Sequence, residues 1–148
     1  MKLISHRGNT NGCFPKHENK SSYIDIAIER GFDVEIDIWF IDDKLWLGHD
    51  TPDYETDLDW LWDRKDDLWI HTKNFEALNF FVDLEWAKVF YHELENHTII
   101  NNSGIIWSHN LTEASTKSII PLLSLDDVNN WEEKEVYGVC SDYIEKFK

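Results

Sequence analysis

Residues 33–50, DVEIDIWFIDDKLWLGHD, decide how this chain folds. Side chains two apart share one face of a strand. Val34, Ile36 and Ile38 therefore point one way, and Glu35 and Asp37 point together the other way. Such a strand has an apolar face to bury and two carboxylates held side by side. Asp42, Asp43 and Lys44 interrupt the apolar pattern and predict a hairpin, after which LGHD delivers His49 and Asp50. Upstream, ISHRGN at 4–9 closes a short strand, LIS at 3–5, with the pair His6-Arg7.

Outward from these stretches, brief apolar runs bounded by polar, Gly or Pro residues predict strands at 67–72, 87–93, 104–109, 118–123 and 136–141. Helical spacing of apolar residues predicts a helix over 21–30, stopped by Gly31, and another over 74–86 carrying Phe75, Leu78, Phe81 and Val82. An acidic turn opens a helix over 57–65, and weaker patterns cover 125–133 and 141–147. Strands alternating with helices imply an α/β fold with a mostly parallel sheet and right-handed crossovers. No repeat, low-complexity tract or linker divides the chain, so residues 1–148 read as a single domain.

The apolar fraction of 42%, with eight Trp and eight Phe, excludes a disordered chain. A formal charge of −15 argues against nucleic acid and anionic membranes, which demand a basic face. It leaves room for a small phosphorylated substrate, because one cation and a few basic residues reverse the local field. Cys13 and Cys140 are too few for a disulfide framework and lack metal-ligand spacing, as expected of free thiols in a reducing compartment. No apolar run approaches the ~18 residues of a membrane span. His6-Arg7 comes too early for a cleaved leader to precede it, so the expected location is cytoplasmic.

Two carboxylates on one wall make either a hard-cation site or an acid–base pair. Buried together, they need a cation or basic groups to offset them. Oxygen ligands favour Mg²⁺, Mn²⁺ or Ca²⁺. His6 and His49 add proton-transfer groups. Arg7 adds an anion clamp, because its planar fork holds an oxyanion through paired N–H groups. Together these residues suit phosphoryl chemistry.

Further candidates lie along the chain. LWIHTKN at 68–74 sets His71 and Lys73 two apart on one strand face. His92-Glu93 closes the strand over 87–93, and Trp107 and His109 lie in WSHN at another strand end. Trp107 reads as core before substrate platform. Asp50 either orients His49 or turns the chain with Thr51-Pro52. Glu18-Asn19 either supports the site or forms the turn into the first helix. Asp142 reads as a helix N-cap before a residue of the rim, and His17 and His97 as solvated loop residues.

The order His-Arg, Glu-x-Asp, His-Asp resembles the glycerophosphodiester phosphodiesterase family of the phosphatidylinositol phospholipase C-like superfamily. Glu18-Asn19 before a helix, LWIHTKN and the closing GVCSDYI (138–144) extend the likeness, which is dense over 4–50 and thin between the later segments. By that resemblance the chain is a short divergent member. The resemblance implies a TIM-like barrel with its site at the C-terminal strand ends. His6 and His49 would be the catalytic acid and base, and Arg7 and Lys73 the phosphate contacts. Glu35 and Asp37 would bind a divalent metal, Mg²⁺ or Mn²⁺ before Ca²⁺.

Where the family carries a third carboxylate ligand, this chain has His71, which becomes the expected third ligand and shifts preference toward later first-row metals. His92 or Glu93 is the alternative source of that ligand. The implied activity is metal-dependent cleavage of a small glycerophosphodiester-like substrate. A neighbouring substrate hydroxyl attacks phosphorus first, and water then opens the cyclic phosphate. A lyase that stops at the cyclic product, or a metal- and phosphate-binding barrel of weak activity, would use the same residues. A TIM barrel typically takes about 250 residues. The expectation is thus a compact barrel of about seven or eight mostly parallel strands, with several helices shortened or missing. Its bare apolar flanks predict a homodimer.

Overall fold

Ten strands join into one curled, open sheet in a computed structural model that describes residues 1–148. In chain order the elements are β1 (Lys2–His6), α1 (Ser21–Glu29), β2 (Asp33–Ile41), β3 (Lys44–Leu47), β4 (Tyr54–Thr56), α2 (Leu58–Asp63) and β5 (Leu68–Thr72). There follow α3 (Phe75–Phe81), β6 (Val89–Phe90), β7 (His97–Ile100), β8 (Ile105–Ser108), β9 (Ser118–Pro121), α4 (Leu125–Asn129) and β10 (Gly138–Ser141). Two 3₁₀ turns, Leu111–Glu113 and Ile144–Phe147, complete the chain.

Parallel pairing runs β6–β5–β2–β1–β10–β9–β8. The antiparallel strands β3 and β4 extend from the C-terminal half of β2, and β7 folds back on β8. The mixed α/β class thus agrees with the alternation in the sequence. The sheet, however, is neither closed nor all-parallel. Its two ends approach where the Asn101 N–H donates to the Val89 carbonyl at 2.7 Å, without a ladder between β6 and β7.

Local chemistry explains where elements begin and end. Asp57 and Asn74 cap α2 and α3 by accepting from the Trp60 and Ala77 N–H groups, and Ser124 with Asp127 forms a capping box on α4. α3 stops at Phe81 rather than 86, and α4 at Asn129 rather than 133. Asp83 and Glu85, then Glu132 and Glu133, would place carboxylates at the negative end of each longer helix. The β2–β3 hairpin turns through Asp42 and Asp43, both at positive φ as a two-residue turn between right-twisted strands requires. The strand expected over 87–93 shrinks to β6. β7 occupies a polar stretch that the sequence pattern leaves as loop, and turns into β8 through Asn102 and Gly104 at positive φ.

The two faces of the sheet bury different things. Val34, Ile36 and Ile38 of β2, with Leu68 and Ile70 of β5, pack outward in a fourteen-residue cluster that includes Ile24, Ala27, Leu61 and Ala77 of the helices. Inside the curl, Ile4, Trp69, Phe90, Trp107, Ile119 and Cys140 form a second cluster, the floor beneath the site. Phe32, Ile120, Leu122, Val139 and Ile144 form a third. The apolar face of β2 alone buries three β-branched side chains completely, each contributing about 1.5–3 kcal/mol. That burial fixes the register, since a slip by one residue would turn Glu35 and Asp37 into the core.

Candidate functional site

Register brings the ionisable residues together. β1 pairs with β2 so that His6 stands opposite Glu35, and β2 pairs with β5 so that Asp37 stands opposite His71. One cleft of about 420 Å³ is lined by His6, Arg7, Glu35, His49, His71, Lys73, His92, Glu93 and Trp107. Asp37 lies beneath it, wholly buried. Ligand atoms of Glu35, Asp37 and His71 all lie within 4.8 Å of one another, a grouping able to hold a metal ion.

Asp37 is the most heavily engaged carboxylate. Its Oδ2 accepts from the Asn19 amide at 2.9 Å and lies 2.8 Å from Arg7 Nε as an ion pair. Its Oδ1 faces His71 Nδ1 at 3.0 Å and Lys73 Nζ at 3.7 Å. Burial by itself raises the Asp37 carboxyl. The imidazole of His71 and the charges of Arg7 and Lys73 override it and hold the group well below the usual carboxylate range. Glu35 Oε2 is buried without a hydrogen-bond donor, 3.8 Å from His6 Nε2. A buried carboxylate oxygen left without a donor costs free energy unless a cation meets it. The two carboxylates and the imidazole together form a donor set that fits a divalent ion.

His71 completes this group of three. Its Nε2–H donates to the His92 carbonyl at 3.3 Å, so the neutral ring leaves Nδ1 unprotonated toward the two carboxylates. Burial pulls its pKa down, but Asp37 and Glu35 push it up to about 9. A divalent cation would thus displace a proton from this ring when it binds near neutral pH. His92 and Glu93 do not join the group. His92 Nδ1 pairs with Glu95 at 3.1 Å, and Glu93 accepts from the Tyr91 hydroxyl at 2.6 Å.

Both acid–base candidates bond a carboxylate. His6 Nδ1 bonds Asp142 Oδ1 at 2.8 Å, and Asn9 donates to the same oxygen at 2.8 Å. His49 Nδ1 bonds Asp50 at 2.7 Å, at the surface. Glu18 accepts from Asn9, Arg7 and Cys13, and Asn19 both donates to Asp37 and accepts from its backbone N–H at 3.0 Å. The Glu18-Asn19 pair therefore supports the site. Burial and Glu18 push the Cys13 thiol up to about 11, well away from nucleophilic chemistry.

The backbone is bent to make these contacts. Arg7 and Asn19 both adopt positive φ, and the Asn19 N–H donates to the Arg7 carbonyl at 3.1 Å. Gly8 follows at φ +91, where a Cβ would lie 2.7 Å from the Tyr23 ring. At Gly48, φ +147, a Cβ would collide with the Thr51 carbonyl, so only glycine lets the chain turn there and present His49.

Nothing in the sequence singles out Asn9, and the sequence ranks Asp142 as a rim residue only second to a helix N-cap. Asp142 was expected as a helix N-cap but points into the site, while Tyr143 holds the cap position of the last 3₁₀ turn. The signal was topological. Ser5 pairs with Ser141, so the next residues, His6 and Asp142, emerge side by side. His97 is exposed, as the sequence predicts, but it is not in a loop. It lies on β7, bonded to Ser108 at 2.7 Å and to Glu113 at 2.6 Å. No protein-family profile matches the chain, and no curated protein does. No helix is long and apolar enough to cross a membrane.

Proposed function

We propose that this cleft cleaves small phosphodiesters of a glycerol-like alcohol in a metal-dependent reaction, as the resemblance to glycerophosphodiester phosphodiesterases implies. The observation that carries the reading is the buried Glu35, Asp37 and His71 group, with Glu35 Oε2 lacking a hydrogen-bond donor, in a cleft that also holds His6 and His49. The curled parallel run supports reading the sheet as a cut-down TIM-like barrel. In that reading His6 and Arg7 leave the C-terminal end of β1, and Lys73 that of β5.

Glu35, Asp37 and His71 would hold the metal, Mg²⁺ or Mn²⁺ before Ca²⁺, which when bound supplies Lewis-acid stabilisation of charge on the phosphoryl oxygens. Arg7 and Lys73 line the same cleft and hold those oxygens as fixed cations. His6 donates Nδ1–H to Asp142 and keeps Nε2 free for a proton in transit, and His49 is set up the same way by Asp50. One imidazole takes the proton of a substrate hydroxyl as its oxygen attacks phosphorus. The other protonates the departing alkoxide. Water then opens the cyclic phosphate with the roles exchanged. If that second step is absent, the same residues make a lyase.

The test incubates the protein with glycerophosphodiesters and Mg²⁺, Mn²⁺ or Ca²⁺, then adds a phosphatase and measures inorganic phosphate. Phosphate release that depends on metal and on His6 is expected. A cyclic phosphate seen by phosphorus NMR, without release, identifies the lyase. No conversion of any diester with any of these metals overturns the reading.

A further inference from the structure

The cleft has a second wall that the chemistry above does not use. Phe90 lies flat on His71, with ring centroids 5.0 Å apart and 6° between planes, and stacks in turn on Trp107 at 4.5 Å and 20°. Further out, His92 stacks on His109 at 4.0 Å and 18°. Pro121 and Leu123 complete this side. An aromatic surface therefore begins at the candidate metal site and runs to the rim.

Phe90 has both faces covered and Trp107 is buried, so the rings open to the cleft are those of His92 and His109. The Trp107 indole N–H donates to His109 Nε2 at 3.2 Å, so His109 Nε2 carries no proton and its ring plane is fixed. Burial, with His92 alongside, pulls the His109 pKa down to about 4, so its ring is uncharged at neutral pH. The nearby carboxylates Glu93 and Glu95 disfavour an anionic occupant. At about 420 Å³ the cleft falls within the roughly 300–1,000 Å³ of small-ligand sites, with room beyond the phosphoryl group. Aliphatic alcohols gain only contact area from such a wall, whereas a planar ring also gains stacking.

Resting on the phosphodiesterase reading, we propose that the alcohol half of the substrate carries a planar, non-anionic ring that stacks against the pair of His92 and His109, which Trp107 holds in place from beneath. The ring discriminates among diesters, while His6, His49 and the carboxylates cleave them.

Two glycerol phosphate diesters test this, one of benzyl alcohol and one of cyclohexylmethanol, which are similar in size and alcohol acidity but differ in planarity. With Mn²⁺-loaded full-length protein, kcat/KM should favour the benzyl ester by roughly three- to tenfold, the scale of one aromatic stack. His109→Ala should bring the ratio to about one, and His109→Phe, which keeps a flat ring, should preserve it. Equal rates for the two esters, or a preference that survives His109→Ala, would overturn the proposal. Calorimetric binding of benzylphosphonate against cyclohexylmethylphosphonate reads the same preference without turnover. If neither ester is cleaved while benzylphosphonate still binds more tightly and His109→Ala removes the difference, the catalytic reading fails and the stacking wall stands.

Discussion

The half of the sheet formed by β2, β5 and β6 is backed by helices, the half formed by β8, β9 and β10 is nearly bare, and β1 lies between them over a 3₁₀ turn. Behind the first pack α1, α2 and α3 with fourteen buried side chains; behind the second lie six, with two 3₁₀ turns and the short α4. The division matches what each half must hold. Glu35, Asp37 and His71 are buried ionisable groups, stable only if their positions relative to one another are fixed. The aromatic surface on the other half makes few such demands, since rings tolerate small shifts that a metal ligand set does not. The helices back the strands that carry Glu35, Asp37 and His71.

The largest effect should appear in stability. Ile36→Ala removes a fully buried side chain beneath the helices and should cost about 2–5 kcal/mol in urea unfolding. Ile99→Ala, at a residue 73% exposed on the bare half, should change stability by less than about 0.5 kcal/mol. An equal loss at Ile99 would break the comparison and indicate that a second copy of the chain covers that flank. His6→Ala and His49→Ala come next, each lowering kcat by on the order of 10²-fold or more on alkyl diesters. A nitrophenyl ester should lessen the His49 loss, because its leaving group needs no proton. Full activity in either variant removes that residue from the mechanism.

Asp142→Asn sharpens the comparison at the seam between the halves, where β10 meets β1. It should lower kcat by on the order of tenfold to a hundredfold with little change in KM, since only the orientation of His6 is lost. A KM effect with unchanged kcat would make Asp142 a substrate contact instead. The smallest shift concerns metal choice. His71→Glu restores three carboxylates and should move the order of activity from Mn²⁺ toward Mg²⁺ and Ca²⁺, by a few-fold at saturating metal. An unchanged order would mean that His71 is not a ligand.

The half that carries the charges was also the half legible in the sequence. β2 declares both its faces within nine residues, because a period of two and a hairpin turn are local properties. The bare half was obscure for equally physical reasons. β7 is four residues, HTII, inside a polar run, and is a strand only because β8 folds back on it. Asp142 enters the site through a pairing between the two ends of the chain, which no local pattern encodes. Closure of the sheet was also beyond composition and periodicity, since it depends on whether β6 and β8 meet directly or accept β7 between them.

The central claim is that Glu35 and Asp37 are held side by side to bind a divalent cation. Titration calorimetry of the full chain with Mn²⁺ tests it most directly, comparing wild type with Glu35→Gln and Asp37→Asn. The account predicts binding by the wild type and affinity weaker by on the order of ten- to a hundredfold in each variant, with circular dichroism unchanged. Undetectable binding by the wild type, or equal affinity in all three proteins, would contradict it.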